Sequence, residues 1–169
     1  MDYLPLIDRS KVHYKRSDVS PIFSEPDAFS RLVDDLVAPF PAGDVDRVAG
    51  LDAMGFIVGT ALALRLNRGF VPIRKGGKLP VLHDSEPFTD YLGAPKTLSL
   101  RSHPFPKGTR VLLVDEWIET GSQIRASIAL VERAGGTVAG IVAVAFRKNA
   151  RTADLWARYR CHSVWPEAV

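Results

Sequence analysis

The chain has 169 residues, of which 46% are hydrophobic and 24% charged, with 13 glycines and 12 prolines. That length supports one domain with a sizeable core, and that composition excludes disordered, collagen-like and low-complexity classes. The net charge of +3 admits nucleic acid or a small anion, but the basic residues gather at 11–16 and 74–78 rather than along one helix or an aromatic-studded sheet, which favours a phosphate-bearing small molecule over nucleic acid. In chain order, a helix is predicted at 27–37, a short apolar strand at 44–51, a dense apolar helix at 54–66 and a strand at 69–73. Residues 74–95 then carry Gly76, Gly77, Pro80, Pro87, Gly93 and Pro95 with no sustained period, and read as a long loop of the lid or binding type. A strand at 97–100 and a turn at 104–108 lead to 110–116, RVLLVDE, whose successive apolar residues suit a strand buried on both faces. A polar turn at 117–122, a helix at 123–134 ending at Gly135 and Gly136, a buried strand at 137–147, a helix at 153–160 and a last strand at 162–165 complete the chain.

Alternation of strand and helix predicts an α/β fold: one domain over 1–169 with a central parallel sheet flanked by helices, and ligands beyond the carboxyl ends of the strands. Residues 1–40 stand outside the alternation and read as an N-terminal cap. No apolar run nears the ~20 residues of a membrane helix, and the first residues lack a signal-type apolar stretch, so a cytoplasmic chain without a membrane partner is expected. Cys161 is alone, and His13, His83, His103 and His162 show no ligand spacing. A disulfide and a metal held by protein side chains are therefore not expected. Cys161, Trp117 and Trp156 read as packing residues.

The segment VLLVDEWIETGSQIRAS, 111–127, carries the strongest chemical signal. A buried strand delivers Asp115 and Glu116 to its carboxyl end, and the small turn Thr120-Gly121-Ser122 offers backbone N–H groups where the next helix starts, a cradle for phosphate. Two carboxylates would repel that phosphate, so they need another partner; sugar hydroxyls or a bound magnesium would suit them. A sugar phosphate fits both halves. The plainer alternative is an acid that ends a strand and a hydroxyl that caps a helix.

This motif resembles the ribose-phosphate signature of the type I phosphoribosyltransferases: four apolar residues, two acids, a short turn, then Thr-Gly. DVSPIF (18–23), GLDAMGFIVGTALAL (50–64) and GFVPIRKGGKLP (69–80) look like the corresponding segments of adenine phosphoribosyltransferases, in order and at similar spacing. The resemblance implies that family's fold with a small N-terminal hood and a flexible loop, here 81–93. It implies transfer of the phosphoribosyl group from phosphoribosyl pyrophosphate to a purine, adenine first, in a homodimer, with magnesium bound through the pyrophosphate. The implied catalytic set is Asp115, Glu116, Arg74 and Tyr91. The implied contacts to phosphoribosyl pyrophosphate are Asp52, Ala53, Met54, Arg74, Lys75, Lys78, Asp115, Glu116 and the turn Glu119, Thr120, Gly121, Ser122, Gln123. Those to the base are Arg16, Ser17, Asp18 and Val19.

Three positions depart from the family pattern. Met54 stands where an Arg usually reaches the pyrophosphate, so Met54→Arg is expected to raise the rate. The lid's Glu-Tyr-Gly corresponds to Tyr91-Leu92-Gly93, or to Asp90-Tyr91 after a one-residue slip. The phosphate turn reads Glu-Thr-Gly-Ser-Gln instead of Ala-Thr-Gly-Gly-Thr, and Glu119 then needs to point outward or to pair with a cation such as Arg125. A sensor that binds phosphoribosyl pyrophosphate without turnover, or a transferase for another base, are the alternative readings.

Overall fold

The computed structural model describes residues 2–10 and 17–165. Its elements are α1 (Pro26–Val37), β1 (Arg47–Leu51), α2 (Met54–Arg65), β2 (Gly69–Lys75), β3 (His83–Thr89), β4 (Pro95–Arg101), β5 (Arg110–Ile118), α3 (Ser122–Arg133), β6 (Thr137–Phe146), α4 (Ala153–Arg158) and β7 (Cys161–Ser163). The seven strands form one sheet in the order β3-β4-β2-β1-β5-β6-β7. From β2 through β1, β5 and β6 to β7 neighbours run parallel, whereas β4 is antiparallel to β2 and β3 to β4.

Strand residues alternate between two cores, so the sheet is covered on both faces. Val111 and Leu113 of β5, with Ile141 and Ala143 of β6, join the core beneath α3, while Leu112, Val114, Val142 and Val144 join the core beneath α1 and α2. That two-sided burial explains the unbroken apolar runs in β5 and β6. Burying each such Val, Leu or Ile side chain contributes roughly 1.5–3 kcal/mol. Helix α1 starts on Pro26, where the missing N–H costs nothing. It buries Ala28, Leu32, Val33 and Leu36 in the same core as α2, so the region expected as an appended cap is part of the hydrophobic layer.

The stretch expected as an aperiodic loop is corrected. Strand β2 runs on to Lys75, and His83–Thr89 pairs with Pro95–Arg101 over seven residues as a hairpin. The pattern was hidden because β3 is an edge strand in which only Phe88 is buried. Pro87 is tolerated there because an edge strand has one side free of ladder bonds.

Strands β1 and β5 lie side by side, and the chain leaves β1 toward β2 on one flank and β5 toward β6 on the other. The crevice where the order reverses is where such sheets bind ligands. Both the Asp52 turn and the Asp115-Glu116 pair open onto it.

Candidate active site

A cavity of about 810 Å³ lies over the ends of these strands, lined by Asp52, Lys75 to Lys78, hairpin residues Phe88 to Leu92, Asp115 to Gly121, Gln123 and Ile124. A second of about 250 Å³ is lined by Ser17, Asp18, Val19, Ser20, Met54, Glu116 and Trp117. Glu116 and Trp117 border both, so one carboxylate stands at the junction of a large polar chamber and a small one.

Asp115 is 4% exposed. Its Oδ1 accepts the Glu116 amide at 2.9 Å and its Oδ2 accepts Gln123 Nε2 at 3.0 Å. Burial, reinforced by the Glu116 carboxylate, pushes it above the ordinary carboxylate range, and Lys75 opposes the shift. Helix α2 presses close behind: a Cβ on Gly55 would sit 2.8 Å from Val114 O and 3.3 Å from Asp115 Oδ1. Glycine at that point lets the helix approach and the acid keep its place.

The phosphate turn is shaped from behind. Gly121 takes φ 72°, a left-handed conformation suited to glycine. Asn149 Nδ2 donates to Glu119 O at 3.1 Å, and an Arg125 guanidinium nitrogen donates to Thr120 O at 3.0 Å. In a trans peptide the N–H points opposite to the C=O. Holding these two carbonyls outward therefore turns the Thr120 and Gly121 amides inward, as an anion cradle requires. Arg125 also pairs with Asp154 and donates to Arg151 O, so it braces the turn. The Ser122 amide faces the Thr120 hydroxyl at 3.3 Å, and Ser122 does not line the cavity.

Of the basic residues, Lys75 and Lys78 line the large cavity. Lys78 Nζ lies 3.2 Å from Asp52 Oδ2, a carboxylate itself only 7% exposed. Arg74, expected in the catalytic set, does not line the cavity but contacts residues that do: Nε stands 3.8 Å from Asp52 Oδ2 and NH1 donates to Lys78 O at 3.4 Å. Alternation along β2 sends Arg74 and Lys75 to opposite sides, which is why one reaches the cavity and the other braces it. Met54 borders the small cavity rather than the large one, and Ala53 lines neither.

At the hairpin tip Tyr91 and Leu92 are exposed over the large cavity. Asp90 is committed to the turn, its Oδ1 accepting the Leu92 and Ala94 amides at 2.9 Å each. Its Oδ1 is thus engaged in the turn, and Asp90 also lines the large cavity, where the one-residue slip would place an acid. In the small cavity the Asp18 carboxylate accepts the Ser20 amide at 2.8 Å and the Ser20 hydroxyl at 2.7 Å. The Ser17 hydroxyl is buried without a hydrogen-bond partner among the described residues. Arg16 lies outside the described residues. Trp117, expected as packing, walls both cavities and is braced edge-to-face by Trp165 at 5.7 Å between ring centroids. Trp156 does pack, against Phe146 at 4.7 Å. Cys161 is half-buried in the core, its thiol pushed up to about 12 by burial.

Residues 32–168 match the phosphoribosyl transferase domain family. An adenine phosphoribosyltransferase of Thermobifida fusca is 42% identical over 124 residues, covering 73% of this chain and 70% of that one. The chain belongs to the phosphoribosyl transferase domain family. Among solved structures, adenine phosphoribosyltransferase from Rhodothermus marinus superposes with a TM-score of 0.85 at 32% identity, over 96% of this chain and 94% of that one. The enzyme from Giardia lamblia, complexed with 9-deazaadenine, gives 0.88 at 25% identity, over 100% and 99%. The seven-stranded sheet with helices on both faces is thus the fold of this phosphoribosyl transferase.

Within this family member, sequence reasoning did not find Arg125 and Asn149 as the residues that turn the phosphate cradle, nor Trp117 as a cavity wall. Asn149 gave no signal, since it acts from a turn 30 residues away on a backbone carbonyl. Among the described residues no three His, Cys, Asp or Glu side chains are grouped to hold a metal, and no helix is long and apolar enough to cross a membrane. The cavity's acids and lysines fit a cation that arrives already bound to a polyphosphate.

Proposed function

We propose that the protein transfers the 5-phosphoribosyl group of phosphoribosyl pyrophosphate to adenine, giving AMP and pyrophosphate, a purine-salvage reaction in the cytoplasm. The observation that carries this reading is the pair Asp115-Glu116: both line the large cavity with its amide cradle and lysines, and Glu116 also borders the small one, walled by the Trp117 indole. The similar enzymes of Thermobifida fusca and Rhodothermus marinus are named for adenine, and the Giardia lamblia enzyme was solved with an adenine analogue.

In this reading the amides of Thr120 and Gly121, with Glu119, Ser122 and Gln123 completing the turn, hold the 5-phosphate at the start of α3. Asp115 and Glu116 accept the ribose hydroxyls. Lys75 and Lys78 face the pyrophosphate, Arg74 and Asp52 hold their loop, and Ala53 and Met54 form the turn beneath it. The base occupies the small cavity against Trp117 and Met54, with Ser17, Asp18 and Val19 on its other side. A ring nitrogen attacks C1, the C1–oxygen bond breaks, pyrophosphate leaves with the bonding electrons, and the attacking nitrogen loses its proton. Negative charge grows on the leaving group, and fixed cations already in place stabilise it without reorganisation. Magnesium, when carried in by the substrate, supplies further charge neutralisation on the pyrophosphate. Tyr91 at the hairpin tip screens the reacting centre from water.

A homodimer is part of the proposal. The outer face of α2 leaves Ile57 44% and Leu64 77% exposed, and a second copy would cover them. Incubation with phosphoribosyl pyrophosphate, magnesium and a panel of purines and pyrimidines, followed by chromatography, tests the reading. AMP from adenine supports it. Nucleotide from another base alone corrects the acceptor, and tight binding without any nucleotide replaces it with a sensor, the reading that Asp90's commitment to the turn favours.

A further inference from the structure

Gln123 is the second residue of α3, and its side chain reaches across to the strand that carries the acids, where Nε2 donates to Asp115 Oδ2 at 3.0 Å. The other oxygen, Oδ1, is held by the Glu116 amide at 2.9 Å. With Gly55 of α2 packed behind, 3.3 Å from Oδ1 at the position a Cβ would take, the carboxylate is fixed at both ends and on one side. Each carboxylate oxygen has a further lone pair, and the cavity is the open side.

We propose that Gln123 is a positioning residue: by holding Oδ2 it sets the plane of the Asp115 carboxylate, so that the remaining lone pairs meet the vicinal hydroxyls of the phosphoribosyl group. The proposal rests on the functional reading above. Burial and the neighbouring Glu116 raise the proton affinity of Asp115, and Lys75 lowers it. Gln123 thus acts on the sugar through Asp115. Its backbone serves the phosphate turn separately, which is why a side-chain substitution separates the two roles.

The test compares wild type with Gln123→Met, a variant of similar length without a donor. Calorimetry measures three probes: phosphoribosyl pyrophosphate, ribose 5-phosphate and pyrophosphate alone. Affinity for the two ribose ligands is expected to fall about tenfold, the scale of one hydrogen bond to a charged group, while pyrophosphate binding stays within about twofold. Equal weakening for all three probes, or none, overturns the proposal. In parallel, nitrogen-15 NMR of the unliganded protein is expected to show the Gln123 side-chain amide protected from exchange, with protection lost in Asp115→Asn. Unprotected amide protons in wild type overturn it without reference to any ligand. Wild type that binds pyrophosphate but neither ribose ligand overturns the functional reading itself, and this proposal with it.

Discussion

Asp115 is held in the fold at a cost. Its burial raises the folded-state pKa above the unfolded value, so the unfolded chain loses the proton first as pH rises. Stability is then greatest, as far as this group is concerned, at pH below the unfolded value near 3.9, and falls as pH climbs through the folded one. Asp115→Asn removes the ionisation while keeping the shape, and the Gln123 amide can turn over to meet it. We expect the variant to melt at a higher temperature than wild type at pH 7 and to lose binding of phosphoribosyl pyrophosphate. A lower melting temperature by calorimetry would contradict the cost assigned to the carboxylate. Met54 is the second residue at issue, because it borders the small cavity. An arginine there would fill part of the small cavity of about 250 Å³; if the base binds in it, Met54→Arg should raise KM for adenine several-fold, measured by initial rates, in place of the rate gain expected from sequence. An unchanged KM would show that its side chain is directed elsewhere. The acids were legible because a spaced motif announces them. Trp117 was not, because the small cavity forms only when residues 17–20, distant in sequence, pack beside it.

Among the elements, β5 was readable and β3 was not, for one physical reason. A strand buried on both faces must be apolar throughout, as β5 is from Val111 to Val114, whereas an edge strand with one buried residue carries no such constraint. The hairpin β3–β4 is tied to α3 through Arg133, which pairs with Glu86 and donates to Ser85 O at 3.2 Å. At its tip, residues 90–93, the Asp90 and Gly93 amides and the Asp90 carboxylate close the turn. Tip amides are expected to exchange hydrogen quickly in the free protein and to be protected when phosphoribosyl pyrophosphate and magnesium are present, while β4 is protected throughout. Equal protection of the tip with and without ligand would rule out a closing lid.

For the molecule as a whole, the parallel α/β architecture followed from alternation, and the reversal of strand order beside β1 and β5 places the site. What alternation could not reveal is the outer face of α2, since a helix apolar on nearly every side looks buried in sequence. If Ile57 and Leu64 lie between two copies, Leu64→Glu will shift the protein from dimer to monomer in analytical ultracentrifugation at micromolar concentration. A wild type that is already monomeric contradicts the homodimer. Catalysis by the acid pair is tested most directly by AMP formation from adenine, phosphoribosyl pyrophosphate and magnesium, by wild type and by Asp115→Asn with Glu116→Gln. Wild type is predicted to form AMP, and the double variant to fall by at least about 10²-fold, the scale of losing preorganised polar contacts to the reacting group. AMP formation undiminished in the double variant would contradict it.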